Sequence, residues 1–202
     1  ETTFAVAFGD ADGDGDLDAF VTQVADCPDC KAPNRVWLGD GATGFVDSGQ
    51  RLGDANSWDV ALHDVDGDGD LDAVVANGGY DGLVPAIYSQ GDPNALTAPN
   101  EVWINDGEGV FRDSGARLGH QDTRGVAIAD LDGDGLGDAF FANRITGGPP
   151  DAGSASDIIV PDEDADFFKD GEPNGVWLGD GQGGFADSGL RIGQRRSRDV
   201  SL

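Results

Sequence analysis

The sequence predicts an all-β protein, a repeat array of four-stranded, propeller-like blades. Three observations carry that reading. An aspartate-rich motif occurs three times, the same order of short apolar runs and Gly/Asp turns follows each copy, and no segment shows a convincing helical period.

The aspartate motif opens each unit. Asp10-Ala-Asp-Gly-Asp-Gly-Asp-Leu-Asp18 matches Asp64-Val-Asp-Gly-Asp-Gly-Asp-Leu-Asp72, and both match Asp130-Leu-Asp-Gly-Asp-Gly-Leu-Gly-Asp138. Before the second and third motifs, Val60 and Leu62, then Val126 and Ile128, alternate with other residues. Period two marks a half-buried strand. After each motif comes an apolar strand-like run: Ala19-Phe-Val, Ala73-Val-Val-Ala-Asn77 and Ala139-Phe-Phe-Ala-Asn143. A loop of variable length follows, 16, 28 and 36 residues from the last motif Asp to the Asn before Val-Trp. The third strand is then Asn34-Arg-Val-Trp-Leu, Asn100-Glu-Val-Trp-Ile or Asn174-Gly-Val-Trp-Leu, closed by Gly-Asp-Gly or Asn-Asp-Gly, a hairpin turn. The return strand starts at Phe45, Phe111 or Phe185 in Phe-x-Asp-Ser-Gly and ends at Leu52-Gly53, Leu118-Gly119 or Ile192-Gly193.

Four short strands per unit, at periods above 40 residues with insertions, suggest propeller blades. The expected boundaries are 1–53 for repeat 1, 54–119 for repeat 2 and 120–193 for repeat 3, with 194–202 the start of a fourth. Together they form one continuous β-propeller-type domain or part of one. Trp37, Trp103 and Trp177 recur at one blade position and read as core, whereas Trp58 occurs once and is open to either a core or a binding role.

The charge balance narrows function. Against 12 Lys+Arg stand 39 Asp+Glu, a formal net charge of −27, and 34 of the acids are Asp. Bare nucleic acid and anionic membranes repel such a surface. No run of 18 apolar residues exists, so no membrane insertion is expected. Self-repulsion on this scale asks for counter-ions, and an excess of Asp points to a hard metal ion.

The motif shows where that ion would sit. Carboxylates stand at positions 1, 3, 5 and 9, and glycines at 4 and 6 let the chain curl until alternate oxygens converge. The carbonyl at position 7 can complete the shell. Carboxylates so crowded repel one another, which a cation relieves. An all-oxygen set without His or Cys favours Ca²⁺ over transition metals, and Mg²⁺ demands a smaller octahedral site. An EF-hand loop would need a bidentate Glu at position 12, where Val21, Val75 and Phe141 stand instead.

On these residues, and on Asn100-Glu-Val-Trp-Ile-Asn-Asp-Gly…Gly109-Val-Phe111, the chain resembles the FG-GAP/VCBS repeats of integrin-α-type β-propellers, over nearly its whole length except the loop inserts. The resemblance implies an Asp loop that joins two strands of a blade and binds Ca²⁺, about three ions in all. The implied ligands are Asp10, Asp12, Asp14 and Asp18; Asp64, Asp66, Asp68 and Asp72; and Asp130, Asp132, Asp134 and Asp138. Backbone oxygens of Asp16, Asp70 and Leu136 would add to them. It also implies a secreted or surface-exposed protein serving adhesion, recognition or assembly.

The expected function is therefore an extracellular calcium-binding module, not an enzyme. Its partners are calcium and other protein chains, through self-association or an adhesion ligand, or glycans. The alternative is a propeller fragment of a secreted carbohydrate-active enzyme; a purely structural filament or surface layer is a third reading. Signs of catalysis are few. Of the two histidines, His63 precedes Asp64 and suits a strand end, and no nucleophile elbow or zinc-protease motif occurs.

Some features lie outside the repeats. Cys27 and Cys30 read as a short disulfide staple outside the cell, with free thiols or a redox role as alternatives. Asp157, Asp162, Glu163, Asp164 and Asp166 form an acidic cluster in the insert 144–173, a solvated loop or an extra cation site. The chain starts at Glu1 without a leader, which reads as a processed product or fragment. Ser197-Arg-Asp-Val-Ser-Leu202 lines up with Ser57-Trp-Asp-Val-Ala-Leu62. A longer parent chain or head-to-tail copies are therefore expected, because three blades are too few to close a ring. Finally, the third site is expected to be the weakest. Leu17 and Leu71 at position 8 are expected to point into the blade and fix the loop's exit, where Gly137 cannot, so that Gly137→Leu should tighten the site.

Overall fold

The computed structural model describes residues 2–25, 32–79, 98–144 and 173–192. The cysteine pair, the interiors of the inserts 78–99 and 144–173 with their acidic cluster, and the start of a fourth repeat lie outside the described residues.

Each repeat becomes one antiparallel four-stranded meander, and no helix occurs among the described residues. The first sheet holds β1 (Thr2–Gly9), β2 (Asp18–Val24), β3 (Arg35–Gly39) and β4 (Phe45–Asp47) in that order. The second holds β5 (Asn56–His63), β6 (Asp72–Gly78), β7 (Asn100–Asn105) and β8 (Phe111–Leu118). The third holds β9 (Thr123–Ala129), β10 (Asp138–Asn143), β11 (Asn174–Gly179) and β12 (Phe185–Ile192). The register repeats as well: Ala19 faces Trp37, Ala73 faces Trp103 and Ala139 faces Trp177. A small residue opposite the indole leaves the ring room to lie across the strand pair.

The insert lengths differ without disturbing the sheets because asparagines fasten the strands on either side. The N–H groups of Gln23, Asn77 and Asn143 donate to the side-chain oxygens of Asn34, Asn100 and Asn174 at 3.1, 2.8 and 2.9 Å. The Asn77 and Asn143 amides in turn donate to the carbonyls of Pro99 and Pro173, both at 2.9 Å. A loop whose two ends are held this way loses little more closure entropy as it lengthens.

The sheets pack side by side in chain order. β5 lies against β1 and β2, and β9 lies against β5 and β6. Two apolar clusters fill the two seams. Phe20, Val36 and Leu52 of the first repeat meet Val60, Val75, Trp103 and Phe111 of the second. Val74, Val102 and Leu118 of the second meet Val126, Ala139 and Phe141 of the third. The rings of Phe20 and Phe111 sit edge to face, 5.3 Å between centroids. The middle sheet is covered on both faces, and every residue of β6 is buried. Its sequence therefore reads as a continuous apolar run, whereas a strand with one wet face would alternate. Full burial of Val74 or Val75 contributes about 1.5–3 kcal/mol each.

Among the described residues, the first sheet presents an exposed apolar face. Phe4, Val6, Phe8 and Phe45 are exposed on the first sheet, at the positions where the second sheet buries Trp58, Val60 and Phe111 and half-buries Leu62. Of the recurring tryptophans, Trp103 is buried and Trp37 and Trp177 are half-buried. Trp58 is a seam residue: Phe4 meets it edge-on at 4.3 Å and the Arg124 guanidinium lies 3.5 Å over its ring.

Candidate metal centres

Each aspartate motif connects the first two strands of its sheet. The glycines at positions 4 and 6 take left-handed φ in all three loops: Gly13 and Gly15 at 74° and 93°, Gly67 and Gly69 at 80° and 98°, Gly133 and Gly135 at 86° and 90°. A side chain there would be strained, which is why the motif spends glycine on both places.

The resulting curl gathers three carboxylates per loop. Oxygens of Asp10, Asp12 and Asp18 lie within 4.8 Å of one another, as do those of Asp64, Asp66 and Asp72 and those of Asp130, Asp132 and Asp138. These are positions 1, 3 and 9. The carboxylates at position 5 lie outside the triads. Asp14, Asp68 and Asp134 accept the N–H of position 7 at 2.9, 3.0 and 2.8 Å. The side chains at position 7, Asp16, Asp70 and Leu136, lie on the hairpin-turn glycines Gly41, Gly107 and Gly181, so only their backbone faces the curl.

Position 9 has a second task that spacing alone does not disclose. One oxygen of Asp18, Asp72 and Asp138 accepts the N–H of position 2 at 2.7, 2.9 and 2.8 Å. The other accepts the N–H of Gly39, Asn105 or Gly179, at the end of the third strand, at 2.8, 2.8 and 2.9 Å. The residue pins the loop to its sheet from a nearly solvent-free position, 2%, 0% and 0% exposed.

The charge crowding leaves its mark on acidity. Burial raises the Asp12 and Asp66 carboxyls above their ordinary value, and neighbouring carboxylates push the same way. Burial pushes Asp72 up to about 6, against the N–H groups of Asn105 and Val65 that favour its charged form. In the first loop, Asp10 Oδ1 is buried without a hydrogen-bond partner. A buried lone carboxylate oxygen beside two more carboxylates is a costly arrangement that a bound cation satisfies. The three triads therefore fit metal ions, with a donor set made only of oxygen.

The loops are also wired to the neighbouring sheet. Asn105 Nδ2 and the Gly109 N–H, from the hairpin of the second sheet, donate to the Ala11 carbonyl of the first loop at 2.7 and 3.0 Å. The Gly183 N–H of the third sheet donates to the Val65 carbonyl of the second loop at 3.1 Å. Position 2 is accordingly buried in loops one and two, at Ala11 and Val65, and 43% exposed in loop three, at Leu131. Asp64 and Asp66 are half-buried, while Asp130 and Asp132 are exposed.

This corrects the expected role of position 8. Leu17 is 61% exposed and does not point into its blade. Leu71 reaches across the seam instead, its Cδ1 2.5 Å from where a Cβ on Gly9 would stand. Gly137 is not a missing anchor: a Cβ there would fall 2.5 Å from the His63 ring of the second sheet. Gly137→Leu therefore creates a clash, contrary to the expectation that it tightens the third site. His63 does serve at a strand end, as a space-filling partner of the next loop.

Sequence reading also passed over a recurring ion pair. Arg51, Arg117 and Arg191 stand four residues after Asp47, Asp113 and Asp187, and each guanidinium binds its carboxylate through both terminal nitrogens. The Arg51 and Arg191 guanidiniums hold Asp47 and Asp187 down to about 2. The signal was present in the repeats, since Asp-Ser-Gly-x-Arg occurs in each.

The fold and the loops together define an all-β protein of repeated four-stranded sheets that carries three aspartate triads able to hold metal ions. Compared with known proteins, the chain matches no family model and no curated sequence.

Proposed function

We propose that the chain is an extracellular calcium-binding module of the FG-GAP/VCBS type, used for adhesion, recognition or assembly, in which Ca²⁺ stabilises the fold. The observation that carries this reading is the recurrence of one triad at one place in three sheets, with a buried, partnerless Asp10 Oδ1 in the first. Position 5 carboxylates and position 7 carbonyls complete the shell once an ion draws them in. An oxygen-only shell on a flexible glycine loop suits Ca²⁺ better than Mg²⁺.

Calcium acts here as a fold component. Fourteen acidic residues occupy the three loops. An ion that binds only the folded chain adds about 2.7 kcal/mol per site at 100-fold excess over Kd. Because Ala11 and Val65 are bound by the next sheet's hairpin, ordering a loop also braces the seam beside it. The assembly part of the reading draws support from the exposed Phe4, Val6, Phe8 and Phe45, which occupy positions that the second sheet places in its seam.

Calorimetry tests the proposal. Chelation by EDTA is expected to remove several kcal/mol of stability and lower Tm by more than 10 °C. Excess Ca²⁺ restores it and equimolar Mg²⁺ does so poorly. A melting temperature indifferent to chelation would sink the proposal.

A further inference from the structure

The two seams inside the chain are one interface used twice. Phe20 and Val36 of the first sheet, or Val74 and Val102 of the second, pack on the facing side of the next sheet, at Val60 and Phe111 or at Val126 and Phe185. Both seams are closed at the loop end in the same way. The Gly109 or Gly183 N–H of the later hairpin donates to the Ala11 or Val65 carbonyl of the earlier metal loop, at 3.0 and 3.1 Å. At the far end the Ala25 or Gly79 N–H of the earlier sheet donates to Asn56 Oδ1 or Asp122 Oδ1, at 2.8 Å in both.

Both halves of this interface occur once more on the outside of the described array. The first sheet presents Val6 and Phe45, each 46% exposed, where the second buries Val60 and Phe111. The third sheet presents Leu131 and Ile192, 43% and 49% exposed. At those places the first two sheets bury Ala11 and Val65, and Leu52 and Leu118. The hairpin contact recurs as well: Thr43 holds the place of Gly109 and Gly183 opposite the Leu131 counterpart of Ala11 and Val65. The internal seams thus show what covers each outer face, and it is the other outer face.

We propose that a second copy of this chain covers the first sheet: the third sheet of one copy docks on the first sheet of the next, in the arrangement of the internal seams. The inference rests on the assembly part of the proposed function and names the partner. The contact is heterologous, head to tail, so the unmodified chain forms a ring or a string of copies. It also completes the third metal loop, because the Leu131 carbonyl gains from the Thr43 N–H of the next copy the bond that Ala11 and Val65 have within the chain. A net charge of −27 on each copy opposes the approach. Salt screens that repulsion beyond about 8 Å at physiological ionic strength and leaves the apolar contact in place. Association therefore strengthens as salt is added.

The experiment is sedimentation equilibrium of the calcium-saturated chain at low and high NaCl. Mass should grow with concentration beyond one copy, with a midpoint on the order of micromolar, and the growth should be stronger at high salt. Val6→Asp on the first sheet and Ile192→Asp on the third each place a charge in one half of the interface. Each should weaken self-association at least about tenfold. Both positions are exposed, so both variants should fold, with thermal midpoints near that of the parent when dilute. Mixed together they hold one intact head and one intact tail, and should form a one-to-one pair that grows no further. Two first sheets meeting each other would instead leave the Ile192→Asp chain associating as the parent does. That result would overturn the proposal. So would a parent chain that stays monomeric at millimolar concentration, folded variants that fail to complement each other, or association that weakens with salt. Mass is read here under saturating calcium, so failure leaves the thermal response to chelation, and the calcium reading it tests, standing.

Discussion

The two seams of the molecule solve one packing problem with opposite choices. Between the first and second sheets, Leu71 reaches over Gly9; between the second and third, the His63 ring fills the space over Gly137. The large and small partners have exchanged sides, since Gly9 and His63 are equivalent positions, as are Leu71 and Gly137. Further along, Trp58 meets Phe4 across one seam and Arg124 across the other. Near the ends of the seams, the Glu101 side chain lies over Gly53 in one, and the Gln121 side chain lies over the equivalent Gly119 in the other. Packing density is thus conserved across each interface as a pair property, and individual positions are free to drift if their partner across the seam compensates.

The largest effect in this comparison should come from one aromatic position seen in different surroundings. Phe111 is 4% exposed and stacks edge-on against Phe20, whereas its counterpart Phe45 is 46% exposed. Phe111→Ala should cost about 3–5 kcal/mol, the range for a buried Phe. Phe45→Ala should stay within about 1 kcal/mol in the isolated chain. Denaturant unfolding of the two variants decides it. Equal losses would mean that the first sheet's outer face is covered.

The exchanged pair comes next. Gly137→Leu should destabilise by about 1–3 kcal/mol through overpacking against His63. Adding His63→Gly recreates the Gly9–Leu71 arrangement and should recover most of the loss, a coupling of about 0.5–3 kcal/mol. A double variant as unstable as the sum of its singles would show that the two seams do not share one design.

The calcium loops provide a third contrast, smaller again. Loops one and two have their position-2 carbonyls bound by the next sheet, and loop three has an exposed Leu131 there. Loop three also carries four Asp where the others carry five. Its site should bind Ca²⁺ several-fold more weakly and empty first under chelator, for want of bracing. Titrations of variants with Asp12, Asp66 or Asp132 singly changed to Asn separate the three sites. Weakening the first site with Gln50→Ala is a further check, because Gln50 bonds the Gly109 carbonyl and the Phe111 N–H, at 2.7 and 2.9 Å, of the hairpin that braces loop one.

What the sequence made legible follows from which interactions are local. Strand order, the Asp loops and the hairpins after Val-Trp are written within single units, and three copies let each be read against the others. The triad of positions 1, 3 and 9 was inside the ligand set named from spacing. The double duty of Asp18, Asp72 and Asp138 was hidden because Gly39, Asn105 and Gly179 lie 21, 33 and 41 residues away. The Leu71–Gly9 and His63–Gly137 pairs were hidden for a stronger reason. Each joins different repeats, so no comparison of one repeat with another at equal positions exposes the exchange, and the glycine at 137 looked like a loss.

The smallest effect separates the seams by charge. Burial raises the Glu101 carboxyl above its ordinary value of 4.5, against the pull of Arg117. The folded chain therefore holds this proton to a higher pH than the unfolded chain does. Below pH 4.5 both states are protonated and Glu101 costs nothing. As pH rises from there through the folded value, the unfolded chain releases the proton first and stability falls; above it the penalty is complete. Glu101→Gln keeps the shape and removes the charge, so its stability relative to the parent should rise as pH climbs above 4.5. The gain should be up to about 1 kcal/mol, the scale of a single buried polar contact. Thermal melts of both chains under saturating calcium give the difference, in which the other carboxylates cancel. The same experiment with Gly175→Gln should show no such pH-dependent gain, since the third seam has no carboxylate there to neutralise. A Glu101→Gln chain that loses ground as pH rises would mean that Arg117 outweighs burial, and that the glutamate is an asset to its seam.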